Sequence, residues 1–490
     1  MAADHSQRII RGISVTGLGT AYIAITGFVC LIIVARAVPK DQFGVYVIMQ
    51  VIAAFFLMIS SLTMESTAVT KLIASAEKET RATLANAALS YRTVIDLFIC
   101  VVIYLSHPIH IHLFKSEQLR PLMVYVSLMY LTSSLHNLLM KIMQGYQDYR
   151  RMGLSQFVSG TSRVLMIGLF VAWMKLEIMG AIYATILSSS AAILYLYITK
   201  PFKGVFKFDS TTFQKIFSFG LPLGLNNALS FAFTKIDRFI IAATMNPISV
   251  AYYEVAAKIP DNSRIMYQSF QSVYFPTMSE LYSSKNHREA ESILNNSLRI
   301  VSFVTVFLAL AAYLFQEDII RLIFTAKYMS SAPVFPILML SLSVALVGNI
   351  LGTTLVAMGH SDKPARINIL DATVNIISNL LLIPALGFLG AAYAALLSRC
   401  LSNPVNVWFL KRENMRVQVS QYMKPLAAYV ICVVFFETVR NDSILYRGVM
   451  LTIYVLLCHV VGVISLQDMK IVVKEMKSAK GRLIKVMTRA

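Results

Sequence analysis

KIDRFIIAATMNPISVAYYEVAAKIPDNSR, residues Lys235–Arg264, sets seven charges inside or beside two apolar spans: Lys235, Asp237, Arg238, Glu254, Lys258, Asp261 and Arg264. A charge in a bilayer core is costly even after snorkelling and water defects, so such residues face a wet cavity or a charged partner. This stretch therefore separates a membrane protein with a polar pathway from one that is merely apolar. Glu254, Lys258 and Asp261 follow i, i+4, i+7 and share one helical face, with Arg264 at its flank. Pro260 lies among them and is expected to kink the helix and free a carbonyl, as in helices that line cavities. In the preceding span Lys235 and Arg238 share a face and Asp237 points elsewhere. One reading is a cationic lining whose carboxylates steady it or carry protons. The other is ion pairing between neighbouring helices, or charge near the outer surface. Seven charges exceed what packing alone needs, which favours the first.

The surrounding chain has 490 residues, 57% of them hydrophobic and 14% charged, with a positive mean hydropathy. Apolar runs of about 20 residues, the length that crosses a hydrocarbon core of roughly 30 Å, recur throughout. Loops are too short to hold a separate soluble domain. The expected fold is an all-α polytopic membrane protein of about 14 transmembrane helices. The first span, 13–38, is too long for a signal-peptide apolar region and is expected to stay as a permanent helix. Cys30, Cys100, Cys400, Cys432 and Cys458 are scattered through apolar spans with neither disulfide nor metal-ligand spacing. The net charge of +19 is concentrated in alternate loops and the tails. Arg8, Arg11, Lys71, Lys78, Arg81, Arg150, Arg151, Lys200, Lys203, Lys207, Lys215, Lys411 and Arg412 all fall on one side. That asymmetry is a topology signal that puts both termini in the cytoplasm, and it argues against a nucleic-acid partner.

An internal repeat sets the expected organisation. Met179-Gly180-Ala181-Ile182-Tyr183-Ala184-Thr185 opens the sixth span, and Leu389-Gly390-Ala391-Ala392-Tyr393-Ala394-Ala395 opens the twelfth. Pro39 with Tyr46 is echoed by Pro247 with Tyr252, and Asn137 with Gly145 by Asn349 with Gly359. Six spans per repeat is an even number, so the halves keep one orientation and the path lies between them near the midplane. The expected parts are a six-helix bundle at 1–199, a cytoplasmic linker at 200–215 and a second six-helix bundle at 216–411. Two additional transmembrane helices in 425–466 and a basic cytoplasmic tail at 467–490 follow. The tail interleaves Lys470, Lys474, Lys477, Lys480, Arg482 and Lys485 with apolar residues, as a helix on anionic lipid or a solvated tail does.

No enzymatic motif emerges. The glycine run Gly12–Thr20 lacks the lysine of a phosphate-binding loop and lies in a span. No cofactor or metal site is expected, so transport must draw on an ion gradient, a downstream sink or an ATPase partner. Further intramembrane charges are Arg36, Arg92, Arg163, Arg299 and Arg399, with Glu65, Asp96 and Asp371. Asn368, Asp371, Asn375 and Asn379 form a polar stripe that helix–helix hydrogen bonding explains as well as a lumen does. His107, His110 and His112 sit in an expected outer loop and read as incidental rather than as a metal or pH site. The candidate cavity cations are Arg36, Lys235, Arg238, Lys258, Arg264, Arg163 and Arg399. Asp237, Glu254, Asp261 and Asp371 are the candidate ion-coupling groups.

Three stretches then carry a resemblance. KIDRFIIAATMNPISVAYYEVAAKI (Lys235–Ile259), ARAVPKDQFGVY (Ala35–Tyr46) and NLLLIPALGFLGAAYAALLS (Asn379–Ser398) resemble, in order, segments of polysaccharide transporters in the multidrug/oligosaccharidyl-lipid/polysaccharide exporter superfamily. Arg36 and Asp237 are the positions that match family-like sites. The resemblance implies an O-antigen type flippase in the bacterial inner membrane. It would move undecaprenyl-diphosphate-linked oligosaccharide by alternating access, among membrane lipids and beside polysaccharide polymerase or export components. A diphosphate needs a wet, basic cavity, and Arg and Lys suit phosphate oxygens. The alternatives are a peptidoglycan-precursor flippase, a drug or cation antiporter of the same fold (whose cavity should be net acidic), and a non-transporting scaffold of a glycan-synthesis complex.

Overall fold

The computed structural model describes residues 2–64, 66–202, 207–439 and 441–464, with side chains described except at 2–16, 222–223, 225–230, 232–233, 264–266 and 269. Glu65, Lys203, the tail at 467–490 and the side chain of Arg264 lie outside the described residues.

Among them the chain is built of helices. They are α1 (Ala2–Ala37), α2 (Lys40–Thr63), α3 (Ser66–Ser75), α4 (Lys78–Leu105), α5 (His107–Phe114) and α6 (Met123–Gly145). Next come α7 (Tyr149–Ile167), α8 (Glu177–Thr199), α9 (Ser210–Thr234), α10 (Ile236–Thr244), α11 (Pro247–Ser283) and α12 (His287–Leu314). The last six are α13 (Gln316–Phe324), α14 (Val334–Ala357), α15 (Asp362–Leu386), α16 (Phe388–Arg412), α17 (Ser420–Val439) and α18 (Ile444–Val460). Among the described residues nine are long and apolar enough to cross a membrane. In hydrocarbon only a helix satisfies its own backbone, which is why each apolar run becomes one. Phe98, Trp173 and Leu445 are 68%, 76% and 83% exposed. Water does not tolerate such a surface and lipid does. The chain is a multi-pass membrane protein.

The expected count of about 14 transmembrane helices is not confirmed, and the apolar run through Lys235 falls on two helices. Lys235, with φ −133° and ψ −17°, breaks it into α9 and α10. The expected kink at Pro260 is no break, because α11 continues through it from Pro247 to Ser283. The expected histidine loop is instead helix α5, with Pro108 in its first turn and Lys115 in the left-handed region ending it. His110 is buried there against Phe56 and Phe114, with ring centroids 5.9 and 6.0 Å away. The helix α9 starts within the expected linker because Asp209 caps it. Its carboxylate accepts from the Thr212 and Thr211 hydroxyls and the Thr211 amide. Those bonds, Thr212 first, hold the Asp209 carboxyl down at about 2.

Two compact units divide the described chain. The first comprises Met1–Ile265, Ile320–Ser331 and Asn375–Ala391, and the second Met266–Ile319, Ala332–Val374 and Ala392–Ala490. In the first, α1 packs along α7, α7 along α8, and α2 against α6 and α9. In the second, α12 packs on α14 and α17, and α17 on α18. A buried ion pair fastens α4 in the first unit. Arg92 Nε lies 3.1 Å from Asp96, which also accepts from Tyr130 and Ser134 at 2.6 Å each. Arg92 Nη1 donates to the Met64 carbonyl at the end of α2. With its hydrogen bonds supplied, this pair is a structural tie between three helices.

The repeated glycines mark close backbone approaches. A Cβ on Gly390 would lie 2.2 Å from the Leu382 carbonyl oxygen, and one on Gly180 3.0 Å from that of Phe170. In both hairpins, α7–α8 and α15–α16, the second helix thus starts hard against the end of the first, and in the earlier one a π-helical turn at Gly168–Trp173 closes α7. Gly44 is tighter still, at 1.8 Å from the Pro247 carbonyl oxygen. Gly44→Ala must push α2 away from the start of α11. It is expected to destabilise the protein by about 1–3 kcal/mol, as overpacking does. A thermal unfolding midpoint equal to that of the parent in detergent would refute this.

Candidate functional site

The charged cluster belongs to the first unit and is organised by Arg238. From the first turn of α10 its Nε donates to Glu254 Oε2 at 2.6 Å, and its Nη2 to Asp261 Oδ2 at 2.6 Å. Nη1 donates to the Thr234 carbonyl at 3.0 Å, and the guanidinium lies 5.5 Å from the Tyr253 ring centroid. The planar fork of an arginine suits this arrangement, whereas a lysine offers a single point charge. Arg238 and Glu254 side chains are only 4% and 8% exposed, while Asp261 is 36% exposed. The pair is a buried tie whose outer carboxylate reaches the open side. Glu254 and Asp261 meet one guanidinium because seven residues bring an α-helix through two turns, back to the same face.

Asp237 is buried by different means. Its Oδ2 accepts from the Tyr253 hydroxyl at 2.8 Å and its Oδ1 from Asn379 Nδ2 at 2.9 Å. Asn379 Nδ2 also donates to Asn375 Oδ1 at 3.0 Å. Among the described residues no cation lies within ion-pair distance of Asp237, so its carboxylate rests on neutral donors. The Asn379 Oδ1 beside it is buried with no hydrogen-bond partner among the described residues.

The remaining candidates divide by what holds them. Arg36 donates to the carbonyls of Leu322 and Ile323 in the last turn of α13, the latter at 2.8 Å. Lys327 in turn donates to the carbonyls of Arg36 and Val38 at 3.0 and 2.8 Å. Arg36 therefore caps a helix end. In the second unit Arg399 is ion-paired with Asp371, whose side chain is 3% exposed. Three cations are left without a carboxylate within ion-pair distance among the described residues: Lys235 at the helix break, Lys258 and Arg163. Arg163 reaches only hydroxyls, those of Tyr46 at 3.3 Å and Thr185 at 3.5 Å, and its buried Nε has no partner. Arg163 and Lys258 both lie close enough to Cys30 to act on it electrostatically, and Lys235 and Lys258 both act on Glu254. These cations come from α7, α11 and the α9–α10 break, all within the first unit.

Tyr253, Asn379, Tyr46 and Thr185 were not among the residues read as functional. All four lie inside stretches whose spacing or motif was noted. A tyrosine adjacent to Glu254, and an asparagine on the polar stripe of α15, were the available signals. What they bond to depends on chain neighbours 16 and 142 positions away.

Apolar helices that enclose buried ion pairs, with half-buried cations beside them, give a membrane bundle with a polar interior. The solved structure of the lipid II flippase MurJ in its inward closed conformation superposes with a TM-score of 0.73 over 92% of this chain and 98% of that one, at 16% identity. The family described as polysaccharide biosynthesis protein matches residues 33–333, and the chain belongs to that family. The capsular polysaccharide biosynthesis protein CapF of Staphylococcus aureus is 22% identical over 393 residues, 79% of this chain and 96% of that protein. The probable low-salt glycan biosynthesis flippase Agl15 of Haloferax volcanii is 22% identical over 209 residues, 42% of this chain and 44% of its own length.

Proposed function

We propose that this protein is a flippase for a lipid-linked oligosaccharide, with the diphosphate of the substrate held by Lys258, Arg163 and Lys235. The observation that carries this reading is the set of three cations without carboxylate partners inside one bundle of a polysaccharide-biosynthesis family member. These cations are half-buried and face no carboxylate at ion-pair distance, which suits a site that takes up a transient anion. An exporter of drug cations needs the opposite balance, and a scaffold needs no unpaired charge. The Arg238, Arg36 and Arg399 guanidinia, each already engaged, keep helices in place around the site. The protein works in the bacterial inner membrane with both termini in the cytoplasm, alternating access between its two halves. Polymerase or export components receive its product. Cells lacking the protein are expected to accumulate the lipid-linked glycan on the cytoplasmic face, accessible to a glycosidase only in inverted vesicles. Unchanged glycan distribution would defeat the reading.

Asp237 is the coupling group. A buried carboxylate on neutral donors, beside an unpartnered amide oxygen, exchanges a cation more readily than one locked to arginine. In proteoliposomes an imposed proton or sodium gradient is expected to accelerate flipping by the parent but not by Asp237→Asn. A parent indifferent to both gradients rules coupling out.

A further inference from the structure

Helix α5 and the residues that follow it, through the short 3-10 turn at Glu117–Leu119 to Arg120, line an open cleft of about 610 Å3. His107, His112, Lys115 and Arg120 line it, with Ser116 and a single carboxylate, Glu117. Glu117 lies 3.1 Å from Arg120 in a pair exposed on both sides, which binds weakly in water. His107 Nδ1 donates to the Tyr104 carbonyl at 3.0 Å, which fixes that ring at the rim. Lys115 and Arg120 thus supply cationic nitrogen donors to a cleft that holds one carboxylate.

The cleft also sits where an apolar span stops. The span α4 ends at Leu105, and Tyr104, Leu105 and Ile109 beside the cleft are 50%, 66% and 66% exposed. Phosphate donors set directly against bare hydrocarbon match a molecule with an anionic head and an apolar tail. Free phosphate has no use for the second feature. His110, by contrast, is turned inward against Phe56 and Phe114, which anchors α5 and keeps the cleft's floor in place.

We propose that this cleft binds the phosphate headgroup of an anionic membrane lipid, with the acyl chains lying along Tyr104, Leu105 and Ile109. The proposal does not rest on the flippase reading. Each basic residue near an anionic lipid surface contributes severalfold to binding.

The test uses the full-length purified protein, measuring retained lipid by native mass spectrometry with phosphatidylglycerol, phosphatidylcholine or inorganic phosphate supplied. The parent is expected to retain phosphatidylglycerol in preference to phosphatidylcholine. Lys115→Gln with Arg120→Gln should weaken that retention about tenfold or more. Glu117→Gln frees Arg120 and should strengthen it, so a loss of folding cannot imitate both results. Equal retention by parent and double variant overturns the proposal. Displacement of phosphatidylglycerol by millimolar inorganic phosphate overturns the lipid part of it.

Discussion

Replacing Arg238 by alanine is expected to cost this protein its fold, not merely its substrate. The side chain is 4% exposed and bridges Glu254 and Asp261 at 2.6 Å each. Its removal leaves Glu254, 8% exposed, with no ion-pair partner among the described residues. Breaking a buried pair by deleting one member typically costs about 3–5 kcal/mol, because the surviving charge is neither solvated nor paired. A membrane protein with ordinary marginal stability loses most of its folded population to such a change. The expected readouts are a collapse in the monodisperse yield from detergent and a large fall in unfolding temperature. Partial rescue should follow from Arg238→Ala combined with Glu254→Gln and Asp261→Asn, since those changes remove the stranded charges. A single variant as stable as the parent, or a triple variant no better than the single one, would sink the account of Arg238 as a structural tie.

Lys258→Gln combined with Arg163→Gln is expected to do the reverse. Neither cation has a carboxylate within ion-pair distance among the described residues, so neutralising them strands nothing, and folding should survive. If the two hold the substrate's diphosphate, two charge-assisted contacts are lost at about 1.5–3 kcal/mol each. At 1.4 kcal/mol per factor of ten, transport should fall by at least about 100-fold. The measurement is flipping of a fluorescent diphosphate-linked oligosaccharide in proteoliposomes, with yield and unfolding temperature followed in parallel. Transport within a few-fold of the parent at normal stability removes these two residues from the pathway. A large loss of stability instead makes them structural, and the two outcomes are told apart in one preparation. Set beside Arg238→Ala, this pair separates charges that hold one another from charges that wait for a ligand.

Much of this was legible residue by residue. The runs that became α1, α2 and α14 announced themselves by length and hydrocarbon character, because a bilayer accepts little else. The shared face of Glu254 and Asp261 followed from helical periodicity, and the two do meet one guanidinium. The Gly180 and Gly390 correspondence was visible as a repeated motif, and the reason for it, a carbonyl within 2.2–3.0 Å of the missing Cβ, was not. The break at Lys235 was also hidden. An apolar run reads as continuous whether or not its backbone is, and only the φ/ψ of one residue shows the join between α9 and α10. The histidine stretch misled for a related reason. Its polar letters suggested a loop, while His110 takes an aromatic role between Phe56 and Phe114 that depends on distant chain.

Lys235–Arg264 by itself determined that the protein is a helical membrane protein with charge set within its spans, because hydropathy and helical period are local properties of the chain. Tertiary structure alone decided which of those charges are spent. Arg238 meets Glu254 from another helix, Asp237 meets Asn379 142 residues away, and Arg163 meets only hydroxyls. Pairing acts over about 3 Å between atoms that the chain order leaves far apart, and such a distance exists only once the helices have packed.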